Sequence, residues 1–387
     1  MAIASIESPS TPIRVAAWPA LLIAVAGLAL AAARLDAQSS ASQPGAPSIF
    51  EVSLSGRSFN PTRGETIALS YTLSTTAAVT VRVFDADLEL IRVVADQARQ
   101  QAGKQRVTWD GRDLDGAVVP NDAYVFTVEA RGAGDAEGVY DPVTFSGGEP
   151  FDLGAAQVSR ETGTLSYRLS QPSRVLIRIG IPGSSLLRTL VDWEPRAQGE
   201  ITEYWNGRDQ DNLISVVDNP KYTVLIAYFT LPDVSVITFG NAATDYRKYK
   251  GQLRAKRPAK PVRPMANARR LSPQFLAPRA TNRDFKVVIA FPEVDKGASP
   301  GVPTLRDRVL ARIDVPDADR EVVTGRQYEV ILFADTTYVA EEERGYVPFN
   351  FPWDLRQLPP GEHVLTVNVV TFDGQIGIGS RRIRIVR

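Results

Sequence analysis

The segment Leu69-Ser-Tyr-Thr-Leu-Ser74 occurs a second time, with one substitution, as Leu165-Ser-Tyr-Arg-Leu-Ser170, which begins 96 residues later. Three more pairs of stretches keep that offset without a gap: residues 79–83 with 175–179, 90–96 with 186–192, and 109–116 with 205–212. Similar segments at one fixed spacing are typical of tandem copies of a folding unit. The sequence therefore predicts two copies of one domain, at residues 49–148 and 149–240.

Each copy has the residue pattern of a β-rich domain. Ile67, Leu69, Tyr71 and Leu73 alternate with small or polar residues, which is the period of a strand with one buried face. Asn-Pro and Asp-Gly pairs, which favour turns, separate the apolar stretches. Short strands at this spacing predict an antiparallel β-sandwich of about a hundred residues.

The overall composition limits the chemistry that the chain can perform. Its 387 residues exceed what one hydrophobic core can hold, and 44% hydrophobic with 23% charged residues is typical of globular domains. The chain has no cysteine, so thiolate metal ligands and a cysteine nucleophile are excluded. It has one histidine, His363, so the commonest general base is missing from every other position. We predict no enzyme activity, no cofactor and no metal site.

The N-terminal region has the pattern of an export signal. Arg14 precedes an apolar run at residues 15–33, and small residues follow it. We predict a signal peptide at residues 1–37, cut before Gln38, and a linker at 38–48. A run of about 19 residues is also long enough for a retained membrane anchor. Both interpretations predict that the body lies outside the cytoplasm, in the periplasm or at the cell surface.

The first copy also carries a family resemblance. The order of Tyr71, the central Gly103, the segment Val107-Thr-Trp-Asp-Gly-Arg-Asp113, Gly116 and Tyr124 resembles the immunoglobulin-like domain of flagellar hook-capping proteins. The second copy matches more weakly, since it has asparagine in place of the first turn aspartate and of the last glycine. The resemblance implies an immunoglobulin-like fold and an extracytoplasmic location. It does not imply hook capping, because no capping region precedes the first domain.

Residues 284–387 form a third unit. Alternating apolar residues, at positions such as Val287, Ile289, Leu365 and Val367, give at least four strand candidates. We predict another sandwich here. The predicted fold class is thus all-β, with three tandem immunoglobulin-like antiparallel sandwiches after the N-terminal segment.

The segment between the second and third units, residues 241–283, has an unusual charge. From Gly240 to Arg283 there are twelve basic residues against one acid, Asp245, and several prolines that disfavour regular structure. We predict an extended basic linker. It acts either as a solvated spacer or as a strap that binds an acidic partner protein, anionic lipid or anionic polysaccharide; nucleic acid is disfavoured by the export signal. The predicted partner-binding residues are Arg247, Lys248, Lys250, Arg254, Lys256, Arg257, Lys260 and Arg263.

Two repeated features allow a functional and a structural interpretation. Trp109 and Trp205 could stack on a sugar, but a tryptophan repeated before a turn is more typical of a sandwich core. Asp110, Asp113 and Asp115 have spacings found in calcium loops, yet no glutamate closes such a loop and Asp-Gly pairs are ordinary in turns. In both cases the pattern favours the structural interpretation.

The third unit has two further features of the same kind. Asp335 with residues 341–343, all glutamate, forms an acidic group that we interpret as a solvated loop. His363 is not accompanied by a Gly-x-Ser-x-Gly nucleophile motif, so we interpret it as a strand histidine and not as a catalytic base.

These observations favour a non-catalytic scaffold. We predict that the sandwiches and the basic linker bind a protein complex of the envelope or membrane through an acidic partner surface. The alternative is a glycan-binding accessory module of a polysaccharide-processing system. An enzyme that uses carboxylates alone is a third, weaker class.

Overall fold

The computed structural model describes residues 2–5, 15–16, 46–150, 156–256, 271–296 and 301–387; at 2–5, 15–16 and 254–256 it describes the backbone alone. Most of the predicted signal or anchor at residues 1–37, and most of the apolar run at 15–33, lie outside these ranges. Among the described helices, none has the length and apolar character needed to cross a bilayer.

The described part of the chain is dominated by strands. The first two are β1 (Ala2–Ser5) and β2 (Val15–Ala16). The first repeat contributes β3 (Ile49–Leu54), β4 (Ser58–Phe59), β5 (Ile67–Leu73), β6 (Ala77–Phe84), β7 (Leu90–Gln100), β8 (Gly103–Trp109), β9 (Ala123–Arg131) and β10 (Glu137–Tyr140). The second contributes β11 (Gln157–Ser159), β12 (Thr164–Leu169), β13 (Ser173–Gly180), β14 (Leu186–Arg196), β15 (Gly199–Tyr204) and β16 (Thr223–Thr230), followed by β17 (Ser235–Thr238).

The remaining elements belong to the linker and the third unit. The linker contains helix α1 (Tyr246–Lys256). The third unit contains β18 (Phe285–Lys286), β19 (Val288–Ala290), α2 (Pro292–Asp295), β20 (Thr304–Leu305), β21 (Arg308–Asp314), α3 (Arg320–Val323), β22 (Tyr328–Ala334), β23 (Thr337–Glu342), β24 (Phe349–Asp354), β25 (Gly361–Thr371) and β26 (Ile376–Ile385). Short 3-10 turns lie at Pro61–Arg63, Ala133–Asp135, Pro142–Thr144 and Leu355–Gln357.

The two repeats fold into the same sandwich. Each has a three-stranded sheet, β3-β5-β8 in the first and β11-β12-β15 in the second, facing a larger sheet built on β9-β6-β7 or β16-β13-β14. Trp109 and Trp205 are buried in the two cores, together with Tyr71 and Tyr167. The predicted all-β fold of tandem sandwiches is therefore confirmed, and the strand alternation arises because one face of each strand is buried.

Both long strands, β7 and β14, contain a bulge at the same repeat position. Gln97 has φ +46° and Trp193 has φ +49°, and the pairing with the neighbouring strand shifts nearby in both copies. A non-glycine residue with positive φ is uncommon and is a recurrent feature of bulged strands. The shared bulge shows that the copies have the same backbone even where Gln and Trp differ.

The strand that follows the second repeat belongs to the sheet of the first. β17 pairs antiparallel with β9 and parallel with β4, so the larger sheet of the first sandwich has the order β4-β17-β9-β6-β7. Val234 and Val236 are buried in the first core. The predicted boundary at residue 240 differs from this arrangement, because apolar alternation predicts a strand but does not indicate which sheet it joins.

The third unit is also a sandwich of two sheets. One has the order β18-β26-β25-β22-β23, with β20 beside β26, and the other has the order β19-β21-β24. Their facing side chains form one core that includes Phe291, Trp353 and Leu365. This arrangement agrees with the prediction of a third β domain.

The predicted extended linker begins with a helix. Tyr246, Tyr249, Lys250 and Leu253 lie on one face of α1, and Tyr249 and Leu253 are buried in the first sandwich core. Residues three and four apart share a helix face, and this spacing indicates a helix that the nearby prolines obscure in the sequence. Those prolines, at positions 258 and beyond, all follow the helix. The expectation of an arm without regular structure is wrong for residues 246–256.

Candidate functional site: the junctions between the sandwiches

The turn between β6 and β7 binds the linker helix through a buried lysine. Lys250 is 1% exposed, and its Nζ lies 3.2 Å from Asp87 Oδ2 and 2.9 Å from Glu89 Oε2, with Asp85 as a third partner. Asp85 also accepts hydrogen bonds from the backbone N–H groups of Asp87 and Glu89, at 3.0 and 2.9 Å. The turn thus holds three carboxylates around one ammonium group.

Burial disfavours the charged forms of the groups in this cluster. It raises the pKa of Asp85 to about 6, against the opposing effect of the Lys250 charge. Burial also acts to lower the pKa of Lys250, but Asp85 and Asp87 outweigh it, so the pKa of the lysine is raised. The ammonium is therefore charged at neutral pH. Removing one partner from such a buried group typically costs about 3–5 kcal/mol.

An arginine and an aspartate join the first sandwich to the second. Arg174 on β13 forms a buried ion pair with Asp122, at the start of β9, and donates to the carbonyl of Trp193 at 3.1 Å. Arg279, from the chain that leads into the third sandwich, approaches Asp122 at 3.8 Å. One carboxylate thus contacts cations from two other parts of the chain.

Apolar contacts cover the same junction. Phe275 packs against a small cluster of the first sandwich that includes Phe84 and Val125. It also packs against Trp193 and Phe229 of the second, with ring centroids of Phe229 and Phe275 5.7 Å apart. The C-terminal part of the basic segment, at Phe275, therefore packs between the two repeats.

A second ion pair joins the second sandwich to the third. Arg178 on β13 donates to both carboxylate oxygens of Asp284, at 2.8 and 2.5 Å, and to the carbonyl of Gly374 at 2.7 Å. Asp284 also accepts from Thr189 Oγ1 at 2.5 Å and from the N–H of Ile376 at 2.8 Å. A two-point arginine–carboxylate contact fixes orientation as well as distance.

The turn between β13 and β14 makes further contacts with the third sandwich. The side chain of Asn368 accepts from the N–H of Leu186 at 2.8 Å and donates to its carbonyl at 2.9 Å. Ser184 donates to the carbonyl of Thr336. Because one amide side chain pairs with both the N–H and the C=O of Leu186, this contact forms only when the two sandwiches are aligned at these residues.

Asp192 adds a titratable group to this junction. It accepts from the N–H of Asp284 at 3.1 Å. Burial raises its pKa to about 7, the nearby Asp284 charge adds to that effect, and Arg279 and Arg178 oppose it. The junction between the second and third sandwiches thus contains a carboxyl group that titrates near neutral pH.

The predicted partner-binding residues are separated by the structure. Lys250, a predicted partner-binding residue, is instead buried in its own chain. Arg247 donates to Ala318 and Asp319 of the third sandwich at 2.8 and 3.2 Å. Lys248 is exposed. The side chains of Arg254 and Lys256, and the whole of Arg257, Lys260 and Arg263, lie outside the described residues. For these exposed or undescribed positions, partner binding remains a prediction.

The repeated Trp-Asp-Gly and Trp-Asn-Gly turns have a structural role. Trp109 Nε1 donates to the carbonyl of Arg112, and Trp205 Nε1 donates to that of Arg208, both at 2.8 Å. Asp113 accepts from two turn N–H groups, and so does its counterpart Asp209. The core interpretation of the tryptophans and the turn interpretation of the aspartates are confirmed. No metal-holding group of three acidic, His or Cys side chains occurs among the described residues.

His363 lies between two acceptors in the third sandwich. Its Nδ1 is 2.5 Å from Asp335 Oδ2, and its Nε2 is 2.8 Å from the carbonyl of Pro359. Burial acts to lower its pKa, but the hydrogen bonds to Asp335 and Pro359 outweigh it and the pKa is raised. The ring, which belongs to β25, bridges Asp335 and Pro359. Asp335 is thereby part of this contact and not only of a solvated loop.

The junction residues were missed because sequence spacing does not reveal them. Arg178 and Asp284 are 106 positions apart, and Lys250 is 165 positions from Asp85. One signal was present: Arg178 has a counterpart in Arg82, and each lies between apolar strand residues, where an arginine is almost never fully buried unless it is paired. The sequence could identify the position but not its partner.

Comparisons with known proteins agree with this fold. The family model of the FlgD Ig-like domain matches residues 56–134. A crystal structure of FlgD from P. aeruginosa shares 21% identity, with a TM-score of 0.20, and the match covers 32% of this chain and 86% of that one. A search of curated proteins found no similar sequence.

Other solved structures share a lower sequence identity with this chain. An endo-beta-1,4-mannanase from Thermotoga petrophila has 17% identity and a TM-score of 0.21, over 30% of this chain and only 22% of the mannanase. A tetra-tandem repeat from the extending region of a large adhesion protein has 12% identity and a TM-score of 0.17, over 88% of this chain and 74% of that one. Similarity at this level assigns no function. The family match nevertheless identifies residues 56–134 as an immunoglobulin-like domain of the FlgD type.

Proposed function

We propose that this chain is an exported, non-catalytic structural protein that holds its three sandwiches in a fixed arrangement and presents them to a protein complex of the bacterial envelope. The observation that carries the proposal is the Arg178–Asp284 ion pair. It is buried, makes two-point contact and joins two sandwiches. A linker meant only to separate domains has no need of such a contact.

The contacts of the linker support the same proposal. Arg247 and Arg283 both bind Asp319 of the third sandwich, while Lys250 is buried against the first. Pre-organisation of this kind lowers the entropic cost when a partner spans more than one domain. Lys248 is exposed. We propose that it binds an acidic partner surface together with the basic residues at positions 254–270, as the charge of residues 241–283 predicts.

The glycan-binding alternative is weakened by the positions of the tryptophans. Trp109 and Trp205 are buried and therefore cannot stack on a sugar. Other aromatic side chains are exposed, among them Tyr204, Tyr338 and Tyr346, so the alternative needs a direct test. A glycan array with no binding above background would remove the alternative.

Purification from native membranes at low and physiological salt, with mass spectrometry of the proteins that co-elute, tests the proposal. We expect a stable set of envelope proteins, and expect their association to weaken as salt rises because charge contacts are screened. Recovery of the chain alone, freely soluble at both salt concentrations, would contradict it.

A further inference from the structure

The buried contact between Lys250 and Asp85 differs chemically from the ion pairs that arginine forms at the junctions. Among the described residues, Lys250 is the only lysine with a buried side chain, and Asp85 is fully enclosed beside it. The Arg178–Asp284 pair uses a guanidinium group, which stays protonated and does not act as a nucleophile. A lysine amine becomes a nucleophile once it loses a proton. The Lys250–Asp85 pair can therefore react, whereas the arginine pair cannot.

The turn between β6 and β7 polarises the carboxyl group of Asp85. Its Oδ1 accepts from the backbone N–H groups of Asp87 and Glu89 at 3.0 and 2.9 Å, while its Oδ2 contacts Lys250 Nζ. Two N–H groups on one oxygen stabilise the negative charge that develops there when a nucleophile adds to the carboxyl carbon. Burial also raises the pKa of Asp85 to about 6, which favours the protonated and more electrophilic carboxyl group.

Two further carboxylates can take a proton from the amine. Glu89 Oε2 lies 2.9 Å and Asp87 Oδ2 lies 3.2 Å from Lys250 Nζ. The side chain of Glu89 is 28% exposed, so it can pass protons to solvent, whereas the Lys250 side chain is only 1% exposed. Exclusion of water from the amine and its target disfavours hydrolysis of a product. The cluster thus brings together a nucleophile, an electrophile with its oxyanion donors, and a base.

We propose that Lys250 Nζ and Asp85 Cγ form an amide bond in the folded chain. Glu89 accepts a proton from the ammonium group, Nζ adds to Cγ, and the Cγ–Oδ2 bond breaks. Oδ2 leaves as water with two of the three protons of the ammonium group, while the third stays on the amide nitrogen and Oδ1 becomes the amide oxygen. An ammonium and a carboxylate thereby give one amide and one water, with no oxidant, reductant or cofactor. The fold holds the reacting groups in contact, which replaces an external activating reagent.

The bond would join two residues that are 165 positions apart. It fixes helix α1 to the first sandwich and closes a loop that contains the whole of the second sandwich. The corresponding turn of the second repeat, residues 181–185, contains no acid, so no equivalent bond is expected there. The reaction needs neither export nor a partner protein. Its presence or absence is therefore independent of the structural role proposed above.

Mass spectrometry of the purified, fully denatured chain tests the proposal. The mass should be lower, by one water, than the mass calculated for the sequence from its observed N-terminus. Trypsin should release residues 83–92 linked to residues 249–254, because an acylated Lys250 is no longer a cleavage site. Fragmentation of this linked peptide should place the bond between Asp85 and Lys250.

Two lysine variants provide the matched comparison. Lys250→Arg keeps the positive charge but cannot form this amide, so the denatured variant should have its full calculated mass. Lys248→Arg changes the exposed neighbouring lysine and should still lose one water.

A third variant tests the base. Asp87→Asn with Glu89→Gln keeps Lys250 and Asp85 but removes both proton acceptors. Cell-free synthesis followed over time should show the linked form appearing about a hundredfold more slowly than in the parent, as expected for loss of general base catalysis. Circular dichroism verifies that the variant is folded. An unchanged rate would contradict the role of these carboxylates.

Two results from the parent chain and Lys250→Arg would overturn the proposal, and neither depends on the third variant. One is a parent chain of full calculated mass, with residues 83–92 and 249–250 recovered as separate peptides. The other is a missing water that persists in Lys250→Arg, since that loss would then come from another part of the chain, such as an Asp-Gly pair.

Discussion

Arg82 and Arg178 occupy the same position in the two repeats but have different surroundings. Arg82 pairs with Glu129 on its own sheet at 2.5 Å, and both side chains are partly exposed, at 25% and 44%. Arg178 pairs with Asp284 of the third sandwich, and both are buried, at 5% and 7%. The repeat therefore conserves the backbone position, while burial by the next domain converts a surface charge into a junction contact.

The turns between the paired strands differ in the same way. In the first repeat, residues 85–89 hold three carboxylates that bind Lys250. In the second repeat, the corresponding residues 181–185 contain no acid. Ser184 contacts Thr336 and the adjacent Leu186 contacts Asn368 instead. Each turn therefore binds the part of the chain that packs against it. The partner is the linker helix in the first repeat and the third sandwich in the second.

The largest expected effect comes from Lys250→Met. The substitution leaves Asp85, Asp87 and Glu89 without their shared cation, so we expect a loss of about 3–5 kcal/mol in the free energy of unfolding of the first sandwich. Urea denaturation measures it. Lys248→Met is the matched control, and its effect should stay within about 0.5 kcal/mol because that side chain is exposed. Equal effects of the two substitutions would show that the buried cluster contributes nothing specific.

Arg178→Ala should have the next largest effect on stability, and it tests the comparison between Arg82 and Arg178 directly. It leaves Asp284 buried without its cation and should cost about 3 kcal/mol, seen as earlier unfolding or faster proteolysis between the second and third sandwiches. Arg82→Ala should cost less than about 1 kcal/mol, since its ion pair is solvated. If Arg82→Ala costs as much as Arg178→Ala, burial at the junction is not the source of the difference.

Asp192→Asn should change the pH dependence of stability. The folded pKa of Asp192, about 7, lies above its ordinary value of 3.8. Its protonated form is therefore favoured by folding, and the resulting stabilisation is complete below about pH 4 and lost as pH rises through 7.

The asparagine variant mimics the protonated carboxyl group at every pH. We expect it to be more stable than the parent at pH 8, by an amount on the order of 1 kcal/mol or more, and to converge with the parent near pH 4. Thermal unfolding across this range measures the difference. A constant difference between variant and parent at all pH values would exclude titration of Asp192 as the cause.

The smallest effect is expected where the two repeats are already equivalent. Asn206 Oδ1 accepts from the N–H of Arg208 as Asp110 Oδ1 accepts from that of Arg112, both at 3.1 Å. Asn206→Asp should therefore change stability by less than about 0.5 kcal/mol. Asn206→Ala, which removes the acceptor, should cost about 1 kcal/mol by chemical denaturation. A large loss in Asn206→Asp would mean that the amide contact with Asn212 matters more than the turn.

Much of the fold could be predicted because the information was local or repeated. Alternation at Ile67, Leu69 and Tyr71 gave the strands, and the fixed offset matched Trp109 with Trp205 in two cores. The bulges at Gln97 and Trp193 could not be predicted in this way. Neither residue is a glycine, and their positive φ results from pairing with the neighbouring strand.

The sequence by itself determined that this protein is a chain of β-sandwiches, two of them copies at a spacing of 96 residues, with a concentrated positive charge between the second and third. Alternation and turn residues act over short distances along the chain, and self-similarity is found by comparing the sequence with itself, so one sequence is enough to read all three. Tertiary structure alone decided that β17 completes the first sandwich, that Lys250 is buried and that Arg178 meets Asp284. Those outcomes depend on which surfaces meet in space. A charge that becomes buried in this way is energetically costly unless it is paired.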